Sequence, residues 1–340
     1  MRKRALLALL VAIAVIVGVK WSSAWSGRSA GDLLQALPDG SAVAVIDLQK
    51  ITGSSLWTAI STQEKLKNAI DKVQSEMADL GVKLSDMQTI AIVFPAAGLS
   101  DPTVAMTGRF DQNDLVARIR ANGKVKLTSE KYKTFDIYKA VVPVVSSKGP
   151  SETKPAGSAG AAVVKKDETA FVFHDSSTIV AGSLQAVRAS VDVKTGARPS
   201  IAQNAILADA LAQTPSAAIR FAIALTPAMT SGLNSSELPI PDFSSVSLIF
   251  GSVDVASGMD MNATLRSDTA EHAKAIAERL TGLLGMAKGY LGAMGNPKMA
   301  PIVEALKTVS IVSTDIDVKI TGSLPVDLLN SLFASQRQKT

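Results

Sequence analysis

The chain has 340 residues, and its 35 Lys and Arg against 30 Asp and Glu give a formal net charge of +5. Five of the basic residues and none of the acidic ones lie in the first 28 positions, so the remaining body is formally neutral. A neutral body without a cluster of Lys and Arg argues against nucleic acid as a partner. The absence of cysteine excludes disulfides, thiolate catalysis and zinc sites with Cys ligands.

Residues 1–28 have the pattern of an export signal or a membrane anchor. A basic N-terminus is followed by an uncharged, mostly aliphatic run over 5–19 and then by Lys20 and Trp21. The basic end is expected to stay in the cytoplasm, with the rest of the chain on the far side of the membrane. The residues that carry this prediction are Arg2, Lys3, Arg4, Lys20 and Trp21.

The sequence leaves open whether this segment remains attached. Its fifteen aliphatic residues are fewer than the roughly 20 that span a bilayer, although Lys20 and Trp21 can extend the segment at the interface. Small residues over 22–24 also suit cleavage by a signal peptidase after Ala24. We expect a cell-envelope protein with its body in the periplasm or outside, either anchored in the bacterial inner membrane or released by cleavage.

The first half of the body alternates between strand and helix patterns. Strands are predicted over 42–47, 89–94, 103–110, 133–145, 169–174 and 178–181, and helices over 62–80, 111–121 and 183–191. The stretch 146–162 contains no large apolar side chain. Because such a composition cannot bury a face, we expect a flexible loop there, either the tip of a long hairpin or a domain linker.

The second half shows a similar order. Strands are predicted over 217–225, 245–255, 259–266 and 313–324, and a final helix over 326–335. Another helix is expected to open at Asp268, which has capping-box spacing to Glu271. Along 313–324 charged residues alternate with apolar ones, so one face of this strand is expected to be buried and the other wet.

Strand–helix–strand–strand–helix–strand, repeated twice, is the order of two ferredoxin-like units. We therefore predict an α+β fold in which two ferredoxin-like βαββαβ units with mostly antiparallel sheets follow the N-terminal membrane helix. The units are expected over 29–196 and 197–340. Both halves carry an Arg-x-Asp junction between strand and helix, at 109–111 and 266–268. Duplication and chance similarity of two α+β halves both fit this pattern.

The two histidines do not predict a catalytic or metal site. His174, Asp175 and Ser176 bring three catalytic residue types together, but neighbours in an extended segment point to opposite faces, so they cannot converge as a triad. We predict the end of a strand and a turn there. His272 has no metal-ligand spacing around it and is expected to be exposed.

Carboxylates near two strands offer a second candidate for chemistry. Asp315 and Asp317 are expected on one strand face, and Asp254 and Asp260 flank a turn. Lys319 continues the first of these faces, and no calcium-loop spacing is present. We predict no catalytic residue, no cofactor and no metal.

The segment 281–295 predicts a binding surface. Its four glycines fall on a narrow arc of a helical wheel, where they cost a helix about 3–4 kcal/mol relative to alanine. Close packing against another element would compensate for this cost. Alternatively, a loose helix could present a Met-rich and Leu-rich face to a lipid, a peptide or a second subunit. The candidate surface consists of Gly282, Gly285, Met286, Gly289, Gly292 and Met294.

Together these features favour a non-catalytic, membrane-anchored envelope protein whose exported body binds a partner or scaffolds an assembly. The expected partners are the membrane, through the N-terminal helix, and another protein or a second copy of the chain. A carrier of a lipid or other apolar ligand is the first alternative, and it requires a cavity beside 281–295. A hydrolase built from dispersed Asp, Ser and His residues is the second.

Overall fold

The computed structural model describes residues 30–79, 81–123, 125–142, 167–214, 217–227, 229–230, 243–294 and 299–337. The predicted N-terminal anchor, with Arg2, Lys3, Arg4, Lys20 and Trp21, lies outside these ranges, and so does the predicted loop at 146–162. Among the helices within these ranges, none combines the length and the apolar character needed to cross a membrane.

Twelve antiparallel strands form one sheet, which confirms the predicted α+β class with antiparallel pairing. In each strand successive side chains point to opposite faces of the sheet, so residues at every second position share a face. The strands are β1 Ala42–Asp47, β2 Met87–Phe94, β3 Thr103–Gly108, β4 Lys126–Tyr132, β5 Phe135–Val142, β6 Asp167–Asp175, β7 Thr178–Gly182, β8 Ile219–Ala224, β9 Val246–Asp254, β10 Gly258–Ser267, β11 Ser310–Thr314 and β12 Asp317–Pro325.

Helices connect the strands and cover both faces of the sheet. Side-chain caps begin several of them, as when Asp111 accepts a hydrogen bond from the Asp114 N–H and Ser183 accepts one from the Ala186 N–H. The helices are α1 Ala30–Leu34, α2 Leu48–Thr52, α3 Ser55–Ser61, α4 Glu64–Asp79, α5 Gln112–Ala121, α6 Leu184–Lys194, α7 Ala205–Ala212, α8 Ala270–Ala293, α9 Ala300–Lys307 and α10 Val326–Arg337.

The core has two sides, one on each face of the sheet. On the first face, α1, α6 and α7 pack against strand residues such as Val45 and Val172. On the second face, α2 to α5, α8 and α10 cover the intervening positions, such as Ile46 and Phe171. Strands β1 to β9 supply apolar side chains to both layers, whereas the clustered apolar residues of β10, β11 and β12 all lie on the second face.

The two predicted units over 29–196 and 197–340 contribute to the same sheet. β1 and β8 pair at its centre, with Val45 opposite Arg220. From this pair the strand order runs β1-β2-β3-β7-β6-β5-β4 on one side and β8-β9-β10-β12-β11 on the other.

Neither half has the predicted ferredoxin-like strand order. That unit is a split βαβ arrangement, in which the helix-linked strands run parallel with another strand between them. Here β1 and β2, which are linked through α2 to α4, are direct antiparallel neighbours, and β8 and β9 pair in the same way. The periodicity of apolar residues predicts whether a segment is a helix or a strand. It does not predict which strands pair, because pairing joins segments that are distant in sequence.

One predicted strand is a single arm of a hairpin, and another spans both arms of a hairpin. The strand predicted over 133–145 belongs to the β4–β5 hairpin, which turns at Lys133 with φ 54°. The strand predicted over 313–324 is the β11–β12 hairpin, which turns at Asp315 with φ 53°. A left-handed conformation is uncommon for a residue other than glycine, so neither turn was indicated by a glycine or proline.

Helix α8 begins one residue later than predicted. Thr269 is its cap and accepts a hydrogen bond from the His272 N–H at 3.2 Å, whereas Asp268 contacts the His272 ring instead. We therefore expect Thr269→Ala to lower the free energy of unfolding by about 1 kcal/mol. Asp268→Ala is the matched control, and chemical denaturation of both variants compares them. An equal or larger loss in the Asp268 variant would assign the cap to Asp268.

Candidate functional site

Only the first half of α8 is fixed to the sheet. Ala273, Ile276 and Ala277 are buried there and pack against Leu265 and Val318 on the second face. Beyond Leu280, no described residue of α8 is buried. The second half of the helix therefore has one supported side and one free side.

All six residues predicted as a binding surface are exposed, five in the second half of α8 and Met294 at its C-cap. A Cβ placed on Gly282, Gly285, Gly289 or Gly292 would meet no atom of the described residues within 4 Å. The explanation that the glycines permit close packing within the chain is therefore wrong for the residues that the structure describes. Because the stripe faces outward, the conformational cost of four glycines is not offset by contacts in this part of the chain.

Large apolar side chains lie beside the glycines. Met286 is 64% exposed, Met294 is 52% exposed, and Tyr290 is 69% exposed. Tyr290 was missed at the sequence level, although it lies four residues after Met286 and therefore on the same side of the helix. We call this set the α8 apolar surface: Gly282, Gly285, Met286, Gly289, Tyr290, Gly292 and Met294.

Helix α9 supports the other side of α8. Leu283, Leu284 and Leu291 are half-buried, and α9 contacts both α8 and α10. No residue of α9 is fully buried. The α8–α9 pair is thus a lightly packed hairpin of helices, a region of low local stability that can adjust to a bound partner.

Three cavities in the described part of the chain are formed by other elements. A polar cavity of about 430 Å³ lies between α1, the end of α6 and strands β3, β6 and β7. A second of about 380 Å³ lies beside α7 over β9 and β10, and a third of about 470 Å³ lies along α6. None of the three is lined by residues of 281–294, so none has the wall that an apolar carrier was expected to have.

His174 lines the polar cavity but does not form a catalytic triad. Its Nε2 lies 3.2 Å from Ser190 Oγ, and the Ser190 hydroxyl donates to the Val187 carbonyl oxygen at 2.8 Å. Nε2 must therefore carry the hydrogen and donate to Ser190, which is the reverse of a base activating a nucleophile. Ser190 is fully buried, so no substrate reaches it.

The environment of His174 keeps its ring neutral. Burial, with a smaller contribution from the positive charge of Lys194, lowers its pKa from 6.5 to about 4, and Asp175 opposes this effect. Among the described residues, no atom accepts or donates a hydrogen bond at Nδ1. His174 is thus a buried structural histidine that is neutral at pH 7.

The candidate carboxylates do not form one group, although Asp254 and Asp260 face each other across β9 and β10. Asp317 is held by two hydrogen bonds from Arg266, at 2.8 and 2.9 Å, and Asp315 lies in the β11–β12 turn. Asp254 accepts from the Ala256 N–H in another turn. His272 is exposed, as predicted, and contacts Asp268 at 2.7 Å. Within the described ranges no group of three or more metal-binding side chains is present.

Comparison with known proteins adds little. No protein-family model matches the sequence, and no curated protein matches it. Solved structures that are similar include crystal form I of TP0453, at 11% identity and a TM-score of 0.44 over 92% of this chain and 99% of that one. Crystal form IV of TP0453 matches at 11% identity and a TM-score of 0.44 over 91% and 97% of the two chains. A likeness at this level carries no argument, and the function of this chain has to be inferred from its own residues.

Proposed function

We propose that this chain is a non-catalytic, membrane-anchored protein of the bacterial cell envelope whose exported body binds a protein partner. The N-terminal segment 1–28 would attach the body to the inner membrane, and the α8 apolar surface would contact the partner. The body would lie in the periplasm or outside the cell, and it would be released if the segment were cleaved after Ala24.

One observation carries this proposal: four glycines, Met286 and Tyr290 share the free side of α8, and Met294 is exposed at its C-cap. The glycines cost the helix about 3–4 kcal/mol, and no atom of the described residues would lie within 4 Å of a Cβ at these positions. Exposed Met and Tyr side chains add apolar area that folding leaves in contact with water. Contact with a molecule outside the chain would give both features a role, because glycine permits close approach of a second backbone.

A protein is a better fit to this surface than a lipid carried inside the body. A carrier needs an enclosed apolar cavity, whereas the residues of the α8 apolar surface are exposed and line none of the three described cavities. Met side chains and a tyrosine are adaptable contacts in protein interfaces. The contacts of His174 and Ser190 also favour a binding role over a hydrolase.

We also propose that the two halves arose by duplication. The strand orders support this, because β1-β2-β3-β7-β6 has a counterpart in β8-β9-β10-β12-β11, with α5 and α8 after equivalent strands. The halves differ in two ways. The first half adds the β5–β4 hairpin beyond β6, and α6 packs on the first face whereas α10 packs on the second. These differences leave the outer part of the second half exposed, which is where the α8 apolar surface lies.

Site-specific photocrosslinking of the full-length protein in native membranes tests the binding role. A photoreactive phenylalanine analogue in place of Tyr290 is expected to give a discrete protein adduct on irradiation. The matched control places the same analogue at Ile206 of α7, which is 62% exposed on another surface. A second substitution, Met286→Glu, is expected to lower the yield of the adduct at least tenfold, because the new charge would have to lose its water on binding.

The possible outcomes separate the candidate functions. A protein adduct from position 290 that is absent from position 206 and sensitive to Met286→Glu supports the proposal. Adducts formed only with lipid would favour a lipid-binding role and contradict it. Equal labelling from both positions would show that α8 has no specific partner.

A further inference from the structure

Strand β11 ends the sheet with an unprotected edge. Its only strand neighbour within the described ranges is β12, and its sequence Ser-Ile-Val-Ser-Thr contains no charge and no proline. The opposite edge, β4, carries Lys126, Glu130 and Lys131. Charged residues on an edge strand discourage pairing with another chain, so β4 is protected and β11 is not.

The first half of the chain shows what pairs with an equivalent edge. β6 occupies the position in its half that β11 occupies in the other, and β5 adds to β6 in antiparallel register. Helix α5 then extends over the added strands, where Leu115 and Ile119 belong to the same cluster as Tyr138 of β5 and Leu127 of β4. The edge of β6 is therefore satisfied by strand addition and covered by the helix of its own half.

The second half has the helix but not the added strand. α8 packs against β11 and Ile311 at the edge of the sheet, and its second half leaves the α8 apolar surface in contact with water. Val312, on the other face of the same edge strand, is 53% exposed. An added strand would complete the hydrogen bonding of β11 at the edge that α8 packs against.

We propose that the missing strand is β11 of a second copy of this chain, paired antiparallel across a twofold axis centred on Val312. This inference rests on the proposed function and names the partner. Such a pairing is isologous, so the same residues are used by both copies. It places Val312 opposite Val312 of the second copy and Ile311 opposite its Ser313, with no like charges in register. The two α8 helices then lie on the same face of one continuous sheet.

Native mass spectrometry of the full-length protein in mild detergent tests this pairing. The wild-type protein is expected to be a dimer. Val312→Lys is expected to raise the dissociation constant roughly tenfold or more, because like charges meet at the axis and Lys319 is the cross-strand neighbour of residue 312. Val312→Asp is expected to weaken the dimer as well, whereas an equimolar mixture of the two variants is expected to form a heterodimer.

Thr128→Lys on the opposite edge strand is the matched control and is expected to leave the dimer intact, because position 128 is also exposed but lies on β4. Circular dichroism checks that each variant is folded. A wild-type monomer at every concentration would overturn the pairing, and so would a dimer that Val312→Lys leaves unchanged. A monomer that still crosslinks from position 290 to a different protein would overturn the second-copy assignment and leave the proposed binding function standing.

Discussion

Gly251→Ala is expected to lower the free energy of unfolding by about 3 kcal/mol or more. Gly251 lies in β9, and a Cβ there would stand 2.2 Å from the Asn262 carbonyl oxygen, 2.9 Å from Ala263 Cα and 2.9 Å from Phe221 Cζ. Two of these three atoms are backbone atoms of the paired strand β10, which cannot move without disturbing the ladder. Phe221 lies over the glycine from the neighbouring strand β8, opposite it in register, so the ring fills the space that a side chain would need.

The matched control is the same substitution on α8. Gly285→Ala adds a methyl group where no described residue lies within 4 Å, and it is expected to raise the free energy of unfolding by about 1 kcal/mol. Urea denaturation measures the change in the free energy of unfolding of each variant relative to the wild-type protein, provided that the m-values are equal. A neutral Gly251→Ala would show that β9 and β10 separate easily at this point. A destabilising Gly285→Ala would mean that the outward side of α8 has a contact beyond the described residues.

The sequence predicts some elements of this fold and not others. Strongly periodic segments were predicted well: β1 was placed at its observed bounds, and α5 was placed with its cap at Asp111. The turns at Lys133 and Asp315 were missed because their left-handed backbone depends on the surrounding hairpin rather than on residue type. Strand order was missed because it depends on pairing between distant segments.

The candidate site was predicted in part. The composition of 281–295 indicated a glycine stripe among Met and Leu residues, but a stripe of this kind is equally compatible with internal packing. Only the position of α8 at the edge of the sheet decides which side of the helix is free. The exposed edge of β11 had no sequence signal at all, since an uncharged five-residue strand is common in the middle of a sheet as well as at its end.

The second large effect is expected on the pH dependence of stability, through His174. In the unfolded chain the pKa of this ring takes its ordinary value of 6.5, whereas burial lowers it to about 4 in the folded protein. Above pH 6.5 the ring is neutral in both states, so its full contribution to stability is present. As the pH falls from 6.5 towards 4, the unfolded chain binds a proton that the folded protein does not, and stability is lost.

Between about pH 7.5 and pH 5 this difference is expected to reduce the free energy of unfolding by roughly 2 kcal/mol, in a range where most carboxylates remain ionised. The geometry of the site supports the direction, because protonation would add an N–H at Nδ1, where no described residue provides an acceptor. His174→Gln removes the titrating group and is expected to flatten the dependence in this range, even if it lowers stability at pH 7.5.

His272→Gln removes the other histidine and is the control for this experiment, since His272 is exposed at the start of α8. Urea denaturation at several pH values is the measurement, and the decisive quantity is the difference in slope between each variant and the wild-type protein. If the pH dependence of the free energy of unfolding persists in His174→Gln and disappears in His272→Gln, the prediction for His174 is wrong. Such a result would also mean that protonated His174 is stabilised in the folded protein, so that the polar cavity beside α1 and α6 admits enough water to solvate its charge.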